Sequence, residues 1–223
     1  QVKSIIKIHN SYIFTPIFNT SKEVSVKYTT LGKSELNVSR ICMGCMGFGE
    51  ASQGQHSWTL DEASSKEIIK YGLQNGINFY DTAIAYQNGT SEQFVGRALR
   101  SLANRDDYVI ATKFLPRTKD EIEQGISGQA HIENSINQSL KNLGMDYVDL
   151  YLIHWPASPF YHDDWKQKNA DTWRAFEELY RELPITTDHQ RQWSKITKQT
   201  YQTMQDLGYD PQPMPKFLRT SQC

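Results

Sequence analysis

Cysteine is scarce, with three residues in a chain of 223. That argues against a disulfide-stapled secreted scaffold and fits a reducing compartment. Cys42 and Cys45 form a C-x-x-C, which reads either as a redox pair or half a zinc site, or as two small residues beside a buried strand end. No second pair supplies the remaining ligands of a structural zinc, so the plain reading is preferred and no metal is expected. Long hydrophobic runs are also missing. No apolar stretch approaches the ~18 residues of a membrane span, and Ile5-Ile6-Lys7-Ile8-His9 is broken by charge where a signal peptide needs a continuous apolar core. A cytoplasmic location is the default expectation, without a membrane partner. Charge of one sign is not in excess: the formal net charge is −1, which gives no reason to expect nucleic acid. There is no G-x-G-x-x-G and no Walker loop. His162, Asp163 and Asp164 read as a solvated loop.

What is present is an alternation of strand and helix patterns. Residues 28–31 and 36–38 flank Gly32-Lys33-Ser34 and read as a hairpin. Strand candidates follow at residues 40–44, 78–81, 108–113 and 147–154. Thr59 with Glu62, and Thr90 with Gln93, read as capping boxes opening two intervening helices. Gly76 stands where the first of these would close. Ile132, Ile136, Leu140 and Leu143 recur at helical spacing before Gly144. Asp171 is placed to cap a further helix, with Trp173, Phe176 and Leu179 or Tyr180 on its inner face. Four βα units in succession predict an α/β fold with a parallel sheet.

Chemistry-bearing residues stand at the ends of these strands. Asp81 closes Asn78-Phe79-Tyr80-Asp81, and Tyr86 follows five residues later. Lys113 closes Val109-Ile110-Ala111-Thr112-Lys113, and His154 closes the run that leads into Trp155-Pro156. A parallel barrel with its chemistry at the C-terminal strand ends places residues in this way. Taken singly, each has a plainer reading: a turn or capping carboxylate for Asp81, a partly buried aromatic for Tyr86, a solvated terminus for Lys113, a satisfied carbonyl partner for His154. Gly44, Gly47 and Gly49 admit close backbone approach or serve as turns. Trp58, Trp155 and Phe48 line a pocket or simply pack.

These segments resemble the aldo-keto reductase family, which carries an Asp-Tyr-Lys-His tetrad in this order and context. The resemblance runs from about residue 28 to 182 and takes in the Tyr28-Thr29-Thr30-Leu31-Gly32 hairpin and the glycine-bearing Ile41-to-Gly49 segment. It implies a TIM-barrel-like fold and an NADP cofactor. It also implies a small-molecule carbonyl substrate, an aldehyde or ketone reduced to an alcohol, without saying which. On it, Asp81, Tyr86, Lys113 and His154 are the catalytic residues. Gly44 and Asp81 lie against the cofactor, and Tyr86, His154 and Trp155 against the substrate. Tyr86 gives the proton, and a nearby ammonium, from Lys113, favours its phenolate form.

Beyond residue 182 the resemblance stops. The expected division is an extension over 1–26 without family match, a partial barrel over 27–182 and a divergent tail over 183–223. In that tail Pro184 reads as a helix terminator, and Pro211, Pro213 and Pro215 break regular structure. A complete eight-unit barrel takes ~250 residues, so an incomplete barrel is expected. Its open sheet edges invite self-association. The family grips its cofactor largely from its fifth to eighth strands, for which this chain has no legible match. A catalytically weak or inactive binding or regulatory subunit, or a truncated product without function, is therefore the alternative to a working reductase.

Overall fold

The computed structural model describes residues 7–8, 11–12, 26–32, 34, 36–157 and 165–182. The tail beyond residue 182 lies outside the described residues, as do His162, Asp163 and Asp164. A short antiparallel pair, β1 (Lys7–Ile8) and β2 (Ser11–Tyr12), precedes the hairpin β3 (Tyr28–Thr30) and β4 (Asn37–Ser39). Then β5 (Met43–Gly44), β6 (Phe79–Asp81), β7 (Val109–Phe114) and β8 (Leu150–Ile153) form one four-stranded sheet in chain order. All three pairings are parallel, with Gly44 opposite Asp81, Asp81 opposite Ala111, and Lys113 opposite Leu152.

Parallel neighbours need long crossovers, and helices supply them. These are α1 (Glu62–Gln74), α2 (Thr90–Leu102) and α4 (Gly128–Leu143), with the short α3 (Lys119–Glu123) ahead of α4 and α5 (Trp165–Glu182) after β8. α2 packs between α1 and α4, and α5 continues the row beyond α4.

Strand alternation sorts side chains to two faces. Tyr80 and Ile110 turn toward the helices and share a core with Ile69, Val95, Leu99 and Leu143. Phe114 and Tyr151 form a second cluster with Ile132 and Ala175 from α4 and α5. Each such aliphatic side chain removed from water contributes about 1.5–3 kcal/mol. On the other face, Val109 meets Leu36 and Val38, with Phe79 and Leu31 beside them. The hairpin thus covers the N-terminal end of that face.

Several local expectations are corrected. The capping box Thr59–Glu62 does not form: Asp61 is the N-cap, accepting from the Ser64 amide, while the Thr59 hydroxyl donates to the Gly49 carbonyl. Nor does Thr90 cap α2. Gly89 is the N-cap, and the Thr90 hydroxyl donates to the Gln87 carbonyl and accepts from the Glu50 amide. Asp171 lies inside α5 and pairs with Arg174, because the helix starts at Trp165. Gly76 and Gly144 do close α1 and α4, both in the left-handed region at φ 82° and 64°. Among the described residues, no helix is long and apolar enough to cross a membrane.

Candidate active site

The parallel register carries the ionisable residues to one end of the sheet. Asp81 is the last residue of β6 and Lys113 the penultimate residue of β7, on the face away from the helices. His154 follows β8 directly, its amide bonded to the Phe114 carbonyl at 2.8 Å. Tyr86 opens a 3-10 turn after β6, and the Ile84 amide before it bonds to the Lys113 carbonyl.

The Lys113 ammonium has three donors, and three acceptors surround it. Nζ lies 2.7 Å from Asp81 Oδ2, 2.9 Å from the Thr82 carbonyl and 3.1 Å from the Tyr86 hydroxyl. The Lys113 side chain is only 13% exposed and that of Asp81 28%, so the pair is weakly screened. The Tyr86 ring meets the His154 ring edge to face, with centroids 5.3 Å apart and planes at 82°. The His154 ring packs on Trp155 at 4.5 Å. Burial, and then the Lys113 charge, hold the His154 imidazole below its ordinary value, with Asp81 opposing them. It is therefore neutral at pH 7. Among the described residues its Nδ1 is buried and finds no hydrogen-bond partner.

All four residues sought at the strand ends thus stand within one contact network. Gly44 sits beside them across from Asp81, and a Cβ built there would meet nothing within 4 Å. Trp155 is more than half exposed. Trp58 is exposed too and packs on His56. Phe48 packs in the buried core cluster with Ile69, Tyr80 and Val95. The C-x-x-C is split by the strand. Cys45 is fully buried, whereas Cys42 is exposed, yet desolvation of its sulfur and the Asp81 carboxylate push that thiol up to about 11.

Sequence reading missed the groups packed around the network. Glu92, in the first turn of α2, is fully buried and accepts from the Thr112 hydroxyl at 2.6 Å and from Asn142 Nδ2 at 2.8 Å. The Ser91 hydroxyl donates to the Cys45 carbonyl and lies 3.1 Å from Thr82 Oγ1. Gln87, next to Tyr86, is 2% exposed. Polar residues at a helix start ordinarily read as solvated caps, and nothing local marks these as interior.

Such a site can polarise and protonate an oxygen placed between a phenol and an imidazole. Comparison with known proteins places it in a family. A profile described as the aldo/keto reductase family matches residues 40–182. The chain belongs to the aldo/keto reductase family. It is 36% identical over 143 residues to norsolorinic acid reductase B of Dothistroma septosporum, covering 61% of this chain and 36% of that protein. Aldo-keto reductase YhdN of Bacillus subtilis is 36% identical over 131 residues, covering 59% of this chain and 38% of the relative. The chain therefore spans well under half the length of these curated relatives. The structure of an aldo-keto reductase from Bacillus halodurans in its holo form superposes with a TM-score of 0.51 at 35% identity, covering 70% of this chain and 47% of that one. The described part corresponds to part of a TIM-barrel-like fold.

Proposed function

We propose that this chain carries the proton-relay half of an NADPH-dependent reductase that converts an aldehyde or ketone to an alcohol. The observation that carries the reading is the contact of one ammonium with both the Asp81 carboxylate and the Tyr86 phenol, with the His154 ring edge to face against the phenol. A reduced nicotinamide supplies hydride to the carbonyl carbon when bound. A Cβ at Gly44 would meet nothing within 4 Å and the Asp81 side chain beside it is partly exposed, so neither residue obstructs the flat reactive end of such a cofactor. Gly44 and Asp81 would flank it.

The chain's own residues do the rest. His154 Nε2–H donates to the carbonyl oxygen and orients it, with Trp155 beside the substrate. As negative charge grows on that oxygen, the Tyr86 hydroxyl gives up its proton to it. The phenolate left behind faces the Lys113 ammonium, whose charge favours it. Asp81 holds the ammonium in place. The Bacillus halodurans relative is described in a holo form, which supports a cofactor for the family's shared site.

The test is NADPH fluorescence titration of the purified chain together with oxidation of NADPH in the presence of a simple aldehyde. Slow turnover that disappears in Tyr86→Phe is the expected result. A folded chain that neither binds NADPH nor reduces the aldehyde would sink the reading in favour of a non-catalytic binding subunit.

A further inference from the structure

Next to the phenol stands a side chain that the relay does not use. Gln87 and Asn88 both lie in the left-handed region, at φ 47° and 52°, where residues with a Cβ are strained. Such a pair persists only where the surroundings over-determine it. For Gln87 the surroundings are the loop between β5 and α1. Its Oε1 accepts from the His56 amide at 3.0 Å. Its Nε2 donates to the His56 carbonyl at 2.9 Å and to the Glu50 carbonyl at 3.0 Å, with the Thr59 hydroxyl at 3.3 Å. The loop is shaped to this carboxamide. A Cβ on Gly54 would lie 2.5 Å from Gln87 Oε1, and a Cβ on Gly49 would lie 2.7 Å from Gln87 Cβ. The loop itself leaves β5 beside Asp81, whose carbonyl receives the Cys45 amide at 2.8 Å.

We propose that Gln87 is a positioning residue that locks the β5–α1 loop and the Tyr86 phenol into one rigid unit. The proposal rests on the reductase reading for its consequence, since it makes the loop part of the proton donor's support. The buried carboxamide bonds backbone groups of a loop 31 to 37 residues away in sequence through both of its N–H donors and its oxygen. The energy of those bonds holds Gln87 in its strained conformation, and that conformation fixes where the adjacent Tyr86 points. Lys113 then meets a phenol already aimed.

The test uses the full chain with 3-fluorotyrosine at position 86, read by fluorine NMR, and amide hydrogen exchange over residues 49–59. Gln87→Gly keeps the left-handed backbone without strain but removes the carboxamide. It is expected to raise exchange over 49–59 at least tenfold and to shift or broaden the resonance at 86. Gly54→Ala presses on Gln87 from the loop side and is expected to move the same resonance, which guards against a fault peculiar to the first variant. Where turnover is measurable, kcat should fall at least tenfold in Gln87→Gly while the Kd for NADPH stays within threefold. Exchange that rises while the resonance at 86 stays unchanged in both variants would overturn the proposal, as would exchange that does not rise in Gln87→Gly. Both spectroscopic readings need no turnover. An inactive wild-type chain therefore refutes the reductase reading alone, while the exchange and fluorine results still decide whether Gln87 locks the loop to Tyr86.

Discussion

At the residue scale, the network around Lys113 is set by one cation with three acceptors. Tyr86→Phe removes the transferable proton and keeps the ring that packs on His154. The expected outcome is a loss of about 10²–10⁴-fold in any carbonyl reduction, with an unchanged circular dichroism spectrum and urea midpoint. Glu92 gives a pH prediction. Burial raises its carboxyl above the ordinary value of 4.5, with the bonds from Thr112 and Asn142 opposing. Below 4.5 the folded and unfolded states both hold the proton. As pH climbs, the unfolded state releases it first, so stability declines until the pH passes the folded value and is level above it. Glu92→Gln has no charge to bury and should flatten this decline, read from urea unfolding at about pH 4.5 and pH 8. An identical pH dependence in the two proteins would show that Glu92 is not the group responsible.

At the element scale, the packing of α2 on α4 depends on a close approach. Gly96 in α2 faces the end of α4, and a Cβ there would overlap the Leu143 carbonyl. Backbone cannot yield as a side-chain tip does. Gly96→Ala should therefore destabilise the chain by about 1–3 kcal/mol or more, through overpacking, despite alanine's better helix propensity. Urea denaturation checks it; a rise in the unfolding midpoint would mean α2 and α4 are free to separate. The left-handed Gly89 and Gly144 lie at the ends of the same two helices, where turn geometry favours glycine and a Cβ would also press on Asn142 Nδ2 and on the Arg100 guanidinium.

At the scale of the whole molecule, four parallel strands in chain order carry helices on one face and the ionisable network at the end of the other. Hydride transfer needs near-contact geometry, and the chain has the four residues of the proposed relay without a legible match for the cofactor grip. Expected binding of NADPH to this chain alone is therefore weaker than micromolar, with turnover of a simple aldehyde well below that of a complete family member. Micromolar binding in the fluorescence titration would show a cofactor grip built from residues other than those named. Among the described residues β5 and β8 form the two edges of the sheet, and unpaired edges template strand addition. Sedimentation velocity should show mass rising with concentration; a constant monomer across a hundredfold range would remove this expectation.

Read by itself, the sequence determined the alternation of strands and helices, the closing glycines Gly76 and Gly144, and the identity of Asp81, Tyr86, Lys113 and His154 as strand-end residues. Those features are local: a period of two or 3.6, a left-handed C′ residue, an ionisable group after an apolar run. Tertiary structure decided what each polar side chain bonds. Thr59 and Thr90 carry the pattern of helix caps, yet the caps fall on Asp61 and Gly89: chain closure brings the Gly49 carbonyl to the Thr59 hydroxyl, and the 3-10 turn before α2 offers the Gln87 carbonyl to Thr90. The same closure turned Phe48 into core, buried Glu92 against Thr112, and wrapped the β5–α1 loop around Gln87. Most buried polar groups find a partner wherever the fold puts one. Partners separated by tens of residues leave no trace in a local pattern, because only packing sets the distance between them.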